Sequence, residues 1–245
     1  MSARADDMAR RKRKGNFDFD FSSLSFTDPD DEQIKQAVPH LSLKPVMFDN
    51  AVNMANEIDY TGDYFAFVSG TFIFGDFIEA LCFTKHLDPS VMYVSTLGMS
   101  KENIDSLVNL TMCLRCEKLN LLISNYYMGV ERHNNVPYFE QEFAGQPIDV
   151  AVLASHCKCA LIRSRKGDIL ITGSANLSSS NNVEQFVILH DSNLLDFVQG
   201  KFEYIFERFT VYRGLDHKPH TDWSKNKGNT GKLAYEVLQK GGATL

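Results

Sequence analysis

HCKCALIRSRKGDILITGSANLS, His156–Ser178, sets two apolar runs around a basic turn and leaves polar groups at both ends. HCKCALI (156–162) and DILITGS (168–174) read as strands, and the charged, glycine-containing RSRKG (163–167) reads as the turn between them. An antiparallel hairpin brings its start, with His156 and Lys158, back to its end, with Gly173, Ser174 and Asn176. On a strand, alternate side chains share a face, so His156 and Lys158 point one way. Cys157, Cys159 and Leu161 point the other way and pack beneath a helix. Four polar groups then converge: an imidazole able to attack, an ammonium charge, a hydroxyl and a carboxamide. That set suits a phosphoryl group, with attack at phosphorus and fixed donors on the non-bridging oxygens. Gly173 lets the backbone come close.

Working outward, the preceding chain alternates strand and helix. YFAFVSG (64–70) is a buried strand ending in glycine, and GDFIEALCFTKHL then places Phe77, Ile78, Leu81 and Cys82 at helical spacing. VMYVSTL (91–97) is the next strand. Ser100 caps a helix with Ile104, Leu107, Val108 and Met112 on one face, and LNLLISN (119–125) is a third strand. This order predicts an α/β fold, a mixed, mostly parallel sheet sandwiched between helices. Residues 126–147 are polar and read as irregular. DVAVLA, HCKCALI, DILITGS and EQFVILH are closely spaced strands, the later ones antiparallel. A last helix buries Leu194, Leu195, Val198, Phe202, Ile205, Phe206 and Phe209. There is no internal repeat.

The 245 residues are 44% hydrophobic and 23% charged, which supports one sizeable core with tails. Residues 1–43 open with the basic run Arg10–Lys14, followed by the acidic and aromatic FDFDFSSLSF, and are expected to be a flexible tail. The catalytic domain is expected over 44–213, and 214–245 form a polar tail holding Trp223. A net charge of −6 argues against coating nucleic acid by charge alone and leaves room for a local basic cleft. No apolar run approaches the roughly 20 residues that span a bilayer. Five cysteines, an odd number, fit a reducing compartment, and the protein is expected in the cytoplasm. Cys113 and Cys116 have a zinc-like spacing, but their place at a helix end favours buried thiols over a metal site. Tyr126, Tyr127 and Arg132 in the irregular stretch are weaker candidates for contact with bases.

The hairpin resembles the signature of the phospholipase D superfamily: His-x-Lys, an Asp after four further residues, then Gly-Ser-x-Asn after about six more. His156 and Lys158 match the first element, and Gly173, Ser174 and Asn176 match the last. Arg163 stands at the Asp spacing, and Asp168 follows the turn of a slightly longer hairpin. Glu184 matches the acidic residue that tends to follow the Asn. The resemblance covers roughly residues 45–210, including the strand, glycine and helix of FVSGTFIFGDFIEA.

It implies that His156 attacks a phosphodiester and forms a phosphohistidine. Lys158, Asn176 and Ser174 would hold the phosphate, and Glu184 would fix the imidazole tautomer. Neither metal nor cofactor is needed, because histidine and lysine supply nucleophile and charge. The leaving alkoxide needs a proton from a second histidine, and His40, His86, His133, His190, His217 and His220 lack the motif around them. A C2 homodimer sharing one site is therefore implied, with nucleic acid, DNA first, as substrate. Arg163, Arg165 and Lys166 would grip the backbone beside the site. A lipid-acting hydrolase or transferase of the same family is the alternative. So is a non-catalytic nucleic-acid-binding module with a degenerate site, for which Arg163 at the Asp position speaks.

Overall fold

The computed structural model of the chain describes residues 44–48, 50–59, 62–68, 73–113, 116–178, 182–214 and 223. The expectations for 1–43, and for 214–245 apart from Gly214 and Trp223, lie outside the described residues. Within them, alternation and apolar runs yield one nine-stranded sheet. Its strands are β1 (Lys44–Phe48), β2 (Tyr64–Val68), β3 (Pro89–Thr96), β4 (Leu119–Ser124), β5 (Ile148–Leu153), β6 (Cys159–Ser164), β7 (Ile169–Gly173), β8 (Glu184–Leu189) and β9 (Thr210–Tyr212). The spatial order is β1-β2-β8-β7-β6-β3-β4-β5-β9. β1, β2, β7, β3, β4 and β5 run one way, and β8, β6 and β9 run against them. The helices are α1 (Ala51–Glu57), α2 (Phe74–Thr84), α3 (Lys101–Met112), α4 (Asn125–Val130), α5 (Asn135–Glu142) and α6 (Ser192–Phe209).

The two-residue period of the strands sorts side chains between two cores. Ala66, Met92, Val94, Ala160, Ile162, Ile169, Ile171, Phe186 and Ile188 meet the buried faces of α1 to α5. Tyr93, Leu122, Leu153, Leu161 and Leu170 face the other way, onto Leu195, Phe202, Ile205, Phe206 and Phe209 of α6. The fold is thus α/β, a mixed sheet between helical layers, as the sequence predicts. Phe186 stacks on Phe74 with centroids 5.0 Å apart. Full burial of such a ring contributes about 1.5–3 kcal/mol, and the stacked pair adds about 0.5–1.5 kcal/mol.

The stretch read as irregular is instead two short helices. Ser124 caps α4 by accepting the Tyr126 N–H at 3.2 Å, and Tyr127, Met128, Val136, Phe139 and Phe143 are buried. Their helical spacing is diluted by intervening polar residues, which hid it. α1 was also not anticipated, although Asn50 caps it by accepting from Val52 N–H (2.8 Å) and Asn53 N–H (3.2 Å). On α3, Ile104, Leu107 and Val108 are buried as expected, but Met112 is 63% exposed in the last turn. Ser100 sits at the N-cap position without a side-chain cap bond to the helix.

Candidate active site

Strand directions gather the polar residues at one sheet edge. Ser95 near the end of β3 is opposite Cys159 at the start of β6, and Cys159 is opposite Thr172 near the end of β7. Gly173 is opposite Phe186 near the start of β8, and Glu184 is opposite Val68 at the end of β2. His156, Lys158, Ser174, Asn176 and Glu184 therefore share the edge at which the parallel strands β3 and β4 end. Carboxyl ends of parallel strands are the usual location of ligands in α/β sheets.

Residues 155–158 precede the strand, so alternation does not set their directions. β6 begins at Cys159. Hydrogen bonds hold the segment instead: Ser95 Oγ donates to Cys157 O (2.9 Å), and Cys157 N–H donates to Ser155 Oγ (3.2 Å). Lys158 O accepts from Gly173 N–H (3.2 Å) and from Thr172 Oγ1 (3.3 Å). As a result Cys157 is exposed, contrary to the buried thiol expected, whereas Cys159 joins the α6 core and burial pushes its thiol up to about 12. Cys116 is buried and Cys113 exposed. Among the described residues no group of three or more His, Cys, Asp or Glu side chains is placed to hold a metal.

The exposed His156 meets Lys158 directly, with Nζ 3.1 Å from Nδ1 and 3.1 Å from the His156 carbonyl. An ammonium only donates, so Nδ1 is the acceptor and a neutral ring carries its proton on Nε2. The expected contact between Glu184 and the imidazole is not made here. Glu184 instead accepts a hydrogen bond from Ser174 Oγ, which in turn accepts Gln185 N–H at 3.1 Å. Asn176 is fixed through its carbonyl oxygen, which accepts Leu97 N–H at 3.3 Å from the end of β3. Its NH2 group donates to no acceptor among the described residues and is the end able to donate to an anion.

Gly173 is required by its neighbour strand. A Cβ there would lie 2.1 Å from Gln185 O and 2.7 Å from the Phe186 ring. Such a contact would push β7 off β8, so the glycine serves the sheet that carries the site.

The basic turn is at the opposite end of the hairpin from His156, the length of β6 away, about 20 Å. Arg163 is removed from the expected substrate contacts. Its guanidinium donates to Asp168 (2.8 Å) and Asp196 (2.5 Å), its Nε donates to Gln199 (2.7 Å), and its side chain is 13% exposed. Asp168 also accepts Ser164 N–H at 3.0 Å, so it closes the turn as well as binding Arg163. Arg165 and Lys166 are exposed at the tip. Tyr126 is 65% exposed and Tyr127 is buried.

Ser95 and Thr96 are fully buried polar residues that close the apolar run Val91–Val94 of β3, and that contrast is the signal the sequence carries for them.

No model of a known protein family matches the chain, and no curated protein matches it. Similar solved structures include polyphosphate kinase from Porphyromonas gingivalis, at 15% identity and a TM-score of 0.45 over 58% of this chain and 26% of that one. NucT from Helicobacter pylori is similar at 16% identity and a TM-score of 0.39, over 49% of this chain and 80% of that one. Phosphatidylserine synthase from Haemophilus influenzae Rd KW20 is similar at 11% identity and a TM-score of 0.47, over 72% and 45%. The chain thus spans about a quarter of the length of the kinase and under half that of the synthase.

Proposed function

We propose that the chain is a metal-independent phosphodiesterase of the phospholipase D superfamily, working as a homodimeric nuclease. The observation that carries this reading is the gathering of His156, Lys158, Ser174 and Asn176 at one sheet edge, with the Asn176 carbonyl already engaged by Leu97 N–H. An incoming phosphate draws Lys158 away from Nδ1. The imidazole then attacks phosphorus through Nε2, once its proton has moved to Nδ1 and met an acceptor such as Glu184. The phosphorus–oxygen bond to the leaving alkoxide breaks, and that oxygen takes a proton from the partner subunit's His156. Water then attacks phosphorus, its proton passes to the same imidazole, and the phosphorus–nitrogen bond breaks. Lys158 and Asn176 donate to the phosphoryl oxygens throughout.

An exposed apolar strip supports the proposed dimer. α6 covers only part of the second sheet face, leaving Phe67 47% and Val183 68% exposed, with Phe65 and Val187 half-buried beside them. This apolar strip adjoins Glu184 and Ser174, where a second copy would bring its own His156. Nucleic acid is the substrate class that the single-copy motif implies. Arg165 and Lys166, exposed at the hairpin tip, would meet a long polyanion away from the cleaved bond. All five cysteines are free, which suits the reducing cytoplasm. Among the described residues no helix is long and apolar enough to cross a membrane.

The test is hydrolysis of single- and double-stranded DNA, RNA, a phosphatidylcholine vesicle and a chromogenic phosphodiester, all in EDTA, by wild type and His156→Ala. Nucleic-acid cleavage that survives EDTA and is lost in the variant is expected. Cleavage of lipid alone would transfer the site to lipid chemistry, and an inactive wild type would leave a binding module.

A further inference from the structure

We infer that Thr96 is a positioning residue for the proposed phosphodiesterase reaction, holding Asn176 through the backbone on both sides of it. Thr96 closes β3 and is fully buried. Its hydroxyl donates to Gly98 O (2.7 Å) and accepts from Leu177 N–H (3.0 Å) and Gly98 N–H (3.3 Å). One donor and two acceptor sites are all that a hydroxyl offers, and all are used. Two of the three bonds fold the β3–α3 loop onto the strand end. The third crosses to the residue after Asn176.

The crossing matters because the neighbouring contacts converge on the same amide. Leu97, next to Thr96, gives its N–H to Asn176 Oδ1 at 3.3 Å. Leu177 O accepts Ser100 N–H, and Leu177 pairs with Met99 as an isolated parallel bridge. Thr96 thus sets the spacing between the segment that holds the Asn176 carbonyl and the segment that carries Asn176. With that spacing fixed, the carboxamide keeps one orientation and its NH2 stays aimed for an anion. Without the hydroxyl, the buried Leu177 N–H and the half-buried Gly98 N–H lose their acceptor and the two segments drift apart. Displacements near 1 Å in such a constellation cost on the order of 100-fold in rate.

This inference rests on the proposed function, and its test separates the two. Steady-state hydrolysis of bis(p-nitrophenyl) phosphate is measured for wild type, Thr96→Val, Thr96→Ser, Asn176→Ala and the Thr96→Val/Asn176→Ala double variant. Thr96→Val, which keeps the shape and removes the hydroxyl, is expected to lower kcat about 10–100-fold with KM within about 3-fold. Thr96→Ser is expected to stay within about 3-fold of wild type. In the Asn176→Ala background, Thr96→Val is expected to change kcat less than about 3-fold, because the amide it positions is gone. Unchanged kcat in folded Thr96→Val, or an equal loss in both backgrounds, overturns the inference and leaves the proposed function standing. If Thr96→Val does not fold, Thr96→Ser decides: a loss above about 10-fold in folded protein overturns it. If wild type hydrolyses nothing, the function falls and calorimetric binding of inorganic phosphate judges Thr96 alone. Equal weakening by Thr96→Val and Asn176→Ala supports it, and unaltered or absent binding overturns it.

Discussion

His156 and Lys158 form a pair in which the cation occupies Nδ1 and leaves the ring proton on Nε2, the nitrogen that would attack in the proposed reaction. His156→Ala is expected to lower kcat on a chromogenic phosphodiester by about 1,000-fold or more, since no other group among the site residues is a comparable nucleophile. The thiols give an independent check on local geometry. Iodoacetamide at pH 8, read by mass spectrometry, should label the exposed Cys113 and Cys157 and spare Cys82, Cys116 and Cys159. Burial pushes the Cys159 thiol up to about 12, so almost none is thiolate at that pH. The residue types of the site were legible because a histidine and lysine two apart, followed by Gly-Ser-x-Asn, is an unusual pattern. Their contacts were not. Nothing in the spacing says that Glu184 meets Ser174 rather than the imidazole, or that Leu97 N–H meets Asn176, because those depend on side-chain rotamers and on a segment 79 residues upstream of Asn176.

At the scale of elements, the hairpin β6–β7 carries the candidate site residues at one end and the Arg163–Asp168 pair at the other. Gly173→Ala should lower the thermal midpoint and destabilise the fold by at least about 1–3 kcal/mol, the usual cost of overpacking, because the added methyl meets strand backbone. Arg163→Ala should lower the thermal midpoint, because it removes a largely buried guanidinium bonded to Asp168, Asp196 and Gln199, and kcat should persist. Arg165→Ala/Lys166→Ala should raise KM for long DNA, increasingly so at low salt, and leave hydrolysis of a small phosphodiester unchanged. The alternating β2-α2-β3-α3-β4 run and the late antiparallel strands were readable from period alone. α4 and α5 were not, because Tyr127, Met128, Val136, Phe139 and Phe143 are spread through a segment rich in Asn and Glu. The alternation expected at His156 failed for a related reason: polar side chains, not ladder pairing, hold residues 155–158 in place.

At the scale of the whole molecule, the proposed shared site would tie activity to assembly, through a single His-Lys couple beside an apolar strip exposed at Phe67 and Val183. Phe67→Glu should convert a dimer to a monomer by light scattering, abolish hydrolysis and leave the thermal midpoint nearly unchanged, because that side chain is already 47% exposed. The most direct measurement is of the covalent intermediate. Wild-type protein turning over a phosphodiester is quenched in alkali, where phosphohistidine survives, and its peptides are mapped by mass spectrometry. A phosphoryl adduct on His156, absent from His156→Ala, is expected. Product release with no adduct at His156, and equal activity in the variant, would contradict the mechanism.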